Sequence, residues 1–148
     1  MYVQDVDGGA PMRPLGGGTL VPSARDDLAA GIMSLDGRFV VRDPARHPYL
    51  QSLAGGDARP IPGFGPDDQC AGWSADGRLW IYQAEGRTIQ VSHVDPETGR
   101  RELWKRIGPI DATGVWYPDG LQVTPDGSAY AYTFVRRLSD LYEVEGLR

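Results

Sequence analysis

The sequence predicts an all-β chain made of copies of one small antiparallel sheet, and three observations predict it. A Ser/Thr-x-Asp-Gly turn occurs three times, at Asp36, Asp76 and Asp126, with spacings of 40 and 50 residues. A second, glycine-bearing turn recurs out of phase with it, at Gly9, Gly56 and Gly99, spaced by 47 and 43 residues. The chain also holds 20 Gly and 12 Pro in 148 residues, a density of punctuation that favours short strands and tight turns over long helices. Two independent markers with periods of this length indicate β-propeller blades of four strands each.

With the strands of one blade labelled A to D, the Asp-Gly turn joins A to B and the second turn joins C to D. The first 20 residues, "YVQDVDGGAPMRPL" within them, supply only C and D of a partial blade. "SARDDLAAG" has capping-box spacing from Ser23 to Asp26, but Gly31 closes it, so one helical turn is expected there. A complete blade covers 28–64, with its A strand near 29–33, "RFVV" as B and "YLQSLAGGDARPI" as C and D. A second covers 69–108, with "RLWIY" as B and "IQVSHVDPETGRREL" as C and D. The last covers 119–148, with "AYAYTFV" as B and "SDLYEVEGL" as C, and lacks D.

Local chemistry supports each assignment. In the turns, Ser34, Ser74 and Thr124 carry hydroxyls able to bond forward onto the turn backbone. Asp36, Asp76 and Asp126 close Asx-type bonds, and Gly37, Gly77 and Gly127 supply the positive φ of the last position. The B strands are apolar on both faces, as strands sandwiched between blades must be. In the last, Tyr130, Tyr132 and Phe134 face one way, and Ala129, Ala131, Thr133 and Val135 the other. Arg13-Pro14-Leu15 and Arg59-Pro60-Ile61 put proline in D strands, which suits an outer edge because proline cannot donate to a ladder. Propellers close with about four to eight blades. The expectation is therefore an arc, either the C-terminal part of a larger propeller or one completed by self-association with another copy.

The turns and hairpins resemble the TolB-like β-propeller repeat, a WD-like repeat, over nearly the whole chain. The ending "VTPDGSAYAYTFVRRLSDLYEVEGLR" is similar to the C-terminus of propellers that follow a serine/threonine protein kinase domain in some bacteria, notably acidobacteria. "DPETGRRELWKRIGPID" fits their penultimate blade. That resemblance implies a sensor or interaction domain on the extracytoplasmic side of a membrane-anchored signalling protein; the residues themselves leave the compartment open. The family favours proline second in the turn, and here only Pro125 meets that, with Leu35 and Ala75 in the other two. No Gly-rich kinase loop, "HRD" or "DFG" occurs in the chain.

The residues argue against catalysis. "GWSADG" has Asp76 where a nucleophile elbow needs its second glycine. "LGGGT" lacks the Lys-Ser/Thr of a phosphate loop, so no cofactor is expected. His47 and His93 are the only histidines and neither has a companion at ligand spacing, so no metal is expected either. Asp95 and Glu97 in "DPETG" read as a turn, without the alternating oxygens of a calcium loop. The single Cys70 reads as a small buried hydrophobe. The repeated aspartates recur because the turn recurs, which makes them scaffold on separate blades. The net charge of −5 argues against a nucleic-acid partner, and the Arg100-Arg101 and Arg136-Arg137 pairs have acids nearby. No apolar run has the length of a membrane helix.

One segment asks for more. The D-to-A link "KRIGPIDATGVWYPDG" explains the 50-residue spacing and holds Trp116 and Tyr117 with Asp111 and Asp119. Long loops on a rigid scaffold carry binding, and aromatic residues are favoured anchors. The competing reading has Trp116 plugging the joint between blades. The expected function is a non-enzymatic recognition or sensor module for a protein, peptide or small ligand. The alternative is the accessory propeller of a peptidase or other hydrolase, which requires an α/β-hydrolase domain beside it.

Overall fold

A computed structural model describes residues 2–3, 13–14, 31–42 and 48–139. It is all-β, with no helix among the described residues. Strands β1 (Tyr2–Val3) and β2 (Arg13–Pro14) form an antiparallel pair. Strands β3 (Ile32–Met33), β4 (Phe39–Arg42), β5 (Tyr49–Ser52) and β6 (Arg59–Pro60) make a four-stranded antiparallel sheet in chain order, the first blade. Strands β7 (Gln69–Trp73), β8 (Leu79–Glu85), β9 (Thr88–Val94) and β10 (Arg101–Ile107) make the second. Strands β11 (Val115–Val123) and β12 (Tyr130–Arg136) form a last hairpin. The strand phase is the one the two turn markers require. The expected C strand in "SDLYEVEGL" lies, Ser139 apart, outside the described residues, as do Gly9, His47 and the helical turn from Ser23.

The sheets are arranged as blades. β7 lies against β3 on one side and β11 on the other, so the first strands of successive sheets meet. The Trp73 indole N–H donates to the Ile32 carbonyl of β3 (3.1 Å). Just beyond β7, the Ala75 amide donates to the Pro125 carbonyl of the next sheet's turn (2.7 Å). The fourth strands, β6 and β10, each have a single neighbour and form the outer edges, where Pro60 costs no ladder bond. The β1–β2 pair touches no other described strand, so the described residues form no closed ring.

β8 shows why such sheets must stack. Leu79 and Ile81 point to one face and Trp80 and Tyr82 to the other, as the two-residue period of a strand dictates. All four are buried. Leu79 and Ile81 join Trp73, Val94, Val41, Leu50 and Ile61 in a core against the first blade. Trp80 and Tyr82 join Ile89, Val91, Ile107, Leu121 and Val123 in a core against the last hairpin. Each of these side chains contributes about 1.5–3 kcal/mol by leaving water, and an isolated second blade would leave both faces of β8 uncovered. Cys70 packs partly buried at the rim of the first core, where burial pushes its thiol pKa up to about 12.

The link at 61–68 straps the two blades together. Ile61 and Phe64 enter the first core. Asp68, 1% exposed, accepts from the Gly65 amide (2.6 Å) and from Arg101 of β10 (2.7 Å). Gly63 runs against the backbone of Gly99 in the β9–β10 hairpin, and Arg59 pairs with Glu97 of the same hairpin.

β12 departs from the expected burial on both faces. Tyr132 packs on the second core and Val135 is half-buried, but Tyr130, Ala131, Thr133 and Phe134 are exposed. Among the described residues only the second blade packs on this hairpin, so only one face finds a partner. The last sheet also begins earlier than expected, at Val115 rather than near residue 119.

The three Asp-Gly turns share one geometry. The amides of Gly37, Gly77 and Gly127 donate to the carbonyls of Ser34, Ser74 and Thr124 at 3.0, 3.0 and 2.9 Å, and the three glycines have φ of 67°, 83° and 70°. Oδ1 of Asp36, Asp76 and Asp126 accepts the amide two residues on, at 3.0–3.1 Å. Ser34 and Thr124 accept further turn amides as expected. Ser74 differs: its hydroxyl donates to the Pro125 carbonyl (3.3 Å), spending its bond on the next sheet.

These bonds favour the ionised carboxylates. The Ser34 hydroxyl and the Arg38 amide lower the Asp36 pKa. Slight burial opposes the shift at Asp76, but the Arg78 amide and guanidinium outweigh it. The Thr124 hydroxyl, then the Ser128 amide, bring Asp126 down to about 2. A carboxyl depressed in the fold contributes stability that is complete above its unfolded pKa and is lost as pH falls through the folded one. Stability is therefore expected to hold steady down to about pH 5 and fall progressively toward about pH 2. Asp126→Asn keeps the amide acceptor without the titration, so urea midpoints plotted against pH should fall less steeply below pH 4 than in the parent. An unchanged acid limb would disprove a role for this turn.

Candidate functional site

Two surface features have the form of a site. The first is the corner at Trp116. The expectation placed Trp116 and Tyr117 in a link, but both stand on β11, and the link itself shortens to 108–114. The pairing steps from Val115 opposite Arg136 to Tyr117 opposite Val135, leaving Trp116 as the extra residue of a bulge. Bulges re-aim side chains, and here the result is outward. Trp116 is 55% exposed and Tyr117 42% exposed, with ring centroids 5.3 Å apart. Trp116 is thus no part of the core between the second blade and the last hairpin.

The Arg137 guanidinium sits 3.8 Å from the Trp116 ring centroid, and the Arg137 amide donates to the Gly114 carbonyl (2.8 Å). Asp111 is tied into the same corner. Its Oδ1 accepts the Thr113 amide (2.9 Å), its carboxylate lies 3.5 Å from Arg136, and its carbonyl accepts from Arg136 (2.9 Å). The Thr113 amide, chiefly, lowers the Asp111 pKa. Ile110 and Leu138 on the adjoining segments are also exposed. Of the four residues singled out in the sequence, Asp111, Trp116 and Tyr117 thus share one corner. Asp119 lies further along β11, opposite Thr133 and beside the second bulge.

The second feature was not legible in the sequence. A cleft of about 370 Å³ opens where the 34–38 turn of the first blade, the 74–78 turn of the second and the 95–97 stretch of the β9–β10 hairpin converge. Phe39, Leu50 and Trp73 lie at its base, and Asp36, Asp76, Arg78, Asp95 and Glu97 line it as well. The convergence follows from topology, since A–B and C–D turns leave an antiparallel meander at the same end. Asp36 and Asp76 do sit on separate blades, as expected, yet they line one space. Asp126 belongs to the next junction, where the Trp80 indole packs under its turn at Gly127.

The histidine and cysteine chemistry is unpromising. Among the described residues no three His, Cys, Asp or Glu side chains are placed to hold a metal ion. His93 meets Trp80 in an edge contact at a centroid distance of 3.6 Å, and burial, then the Arg78 charge, lowers its pKa. No helix of the described residues is long and apolar enough to cross a membrane. Comparison with family models, with curated proteins and with solved structures gives no match for this chain.

Proposed function

We propose that the chain is a non-catalytic recognition module, an arc of propeller blades that contacts a protein or peptide partner through the Trp116 corner. The observation that carries this reading is an exposed tryptophan, turned outward by a bulge and capped by the Arg137 guanidinium, on a strand that Leu121 and Val123 anchor in the core. Trp, Tyr and Arg are the side chains that most often dominate binding energy at interfaces. A rigid strand adds little ordering cost on association. The resemblance of the chain's ending supports a place in a kinase-linked signalling protein, with the arc completed by further blades or by a second copy; the mass in solution separates these two.

Trp116→Ala is expected to lower unfolding stability by less than about 1 kcal/mol, since it removes an exposed cation–π contact and an exposed ring contact with Tyr117 but no core volume. Urea denaturation measures this. A loss of several kcal/mol would make Trp116 a structural residue and remove the basis of the proposal.

A further inference from the structure

We infer that the cleft between the first and second blades is a second binding site, and that it takes a lysine or arginine side chain presented on an extended peptide. The cleft's two chemistries match the two parts of such a side chain. Phe39, Leu50 and Trp73 offer an apolar bed for the methylene stem. Above it stand four carboxylates, from Asp36, Asp76, Asp95 and Glu97, against the one guanidinium of Arg78.

The carboxylates are not equivalent. Asp76 is already bonded by the Arg78 guanidinium (2.8 Å), which also reaches Glu102 (3.0 Å), and Glu97 is paired with Arg59. Asp36 and Asp95 form no ion pair among the described residues. Each accepts its turn bonds through one oxygen. Oδ1 of Asp36 takes the Ser34 hydroxyl (2.6 Å) and the Arg38 amide (3.0 Å). Oδ1 of Asp95 takes the amides of Glu97 (2.8 Å) and Thr98 (2.9 Å). The turns thus fix both carboxylates in place while a second oxygen of each stays available to a cation.

The size fits a side chain. A volume of about 370 Å³ lies at the small end of ligand pockets and admits one or two side chains, not an element of a folded partner. The acidic lining opposes an anionic ligand and gives a purely apolar one no compensation for desolvating the carboxylates. This site is independent of the Trp116 corner, so either can fail without the other.

Fluorescence polarisation of the full chain with two labelled peptides tests the inference: a glycine-serine hexapeptide with one central arginine, and its twin with glutamine there. The arginine peptide is expected to bind at least tenfold more tightly, and its affinity should fall as salt rises. Asp36→Asn and Asp95→Asn preserve the turn acceptors and should each weaken binding two- to fivefold, the range of a solvent-exposed ion pair, and the double variant about tenfold. Trp116→Ala should leave this affinity unchanged. Equal binding of the two peptides, no arginine-peptide binding at millimolar concentration, or full affinity in the double variant would overturn the site. Free arginine amide binding as tightly as the peptide would overturn its assignment to a peptide. Should Asp36→Asn disturb the turn, visible in its urea midpoint, Asp95→Asn and the salt series still decide the matter.

Discussion

Trp80→Ala is expected to cost about 3–5 kcal/mol, the range for emptying a buried aromatic site. Trp80 is 1% exposed and stands on β8 at the contact between the second blade and the last hairpin. Its ring lies 3.6 Å from that of His93 and 4.8 Å from that of Trp104, centroid to centroid. A Cβ placed on Gly127 would come within 3.3 Å of the indole, so the Asp126 turn rests directly on it. Domains of this size are stable by about 5–15 kcal/mol, so the truncation consumes a large part of the total. Urea denaturation reads the loss directly, and the thermal midpoint should fall by roughly 10 °C or more. Trp80→Phe should lose less, because it refills much of the space and deletes an indole N–H that finds no bonding partner among the described residues. A cost below about 1 kcal/mol for the alanine variant would mean that the two sheets are not packed through this residue.

Gly63→Ala is expected to be nearly as damaging, for a reason that involves no side-chain contact. Gly63 has φ of +81°, in the region that L residues adopt at a cost of about 1–2 kcal/mol. An added Cβ would also collide with the carbonyl oxygen of Gly99 and lie 2.9 Å from its Cα. Those are backbone atoms, and Gly99 cannot retreat without opening the β9–β10 hairpin. Gly77→Ala provides the control: its φ is +83°, but nothing lies within 4 Å of the added carbon. The control should lose about 1–2 kcal/mol and Gly63→Ala at least about 1 kcal/mol more, by comparison of urea midpoints. Equal losses would mean that the strap and the hairpin do not touch.

The parts of this fold that could be read from the sequence are those set by short-range chemistry. An Asx bond needs Asp36, Asp76 or Asp126, and the turn's last position needs a glycine, so three local demands leave three visible marks. The unbroken apolar run then identifies "RLWIY" as a strand covered on both faces, which β8 is. Features that depend on registry between strands or sheets left no such mark. Trp116 read as part of a link because bulging is a property of the β11–β12 pair, not of the segment "GVWYPDG". The cleft was hidden for the same reason: Asp36 and Asp95 are 59 positions apart and become neighbours only when two blades stack. Ser74 carried the turn signature of Ser34, yet its hydroxyl bonds to the adjoining sheet.

The bond from the Ala75 amide to the Pro125 carbonyl gives the molecule an internal reporter. Residue 75 is on an exposed tip, where an amide would normally trade its proton with water almost as fast as in an unfolded peptide. Because its acceptor belongs to the adjoining sheet, that proton is shielded only while the two sheets remain side by side. Its deuterium uptake therefore clocks the parting of one blade from the next, separately from the melting of either.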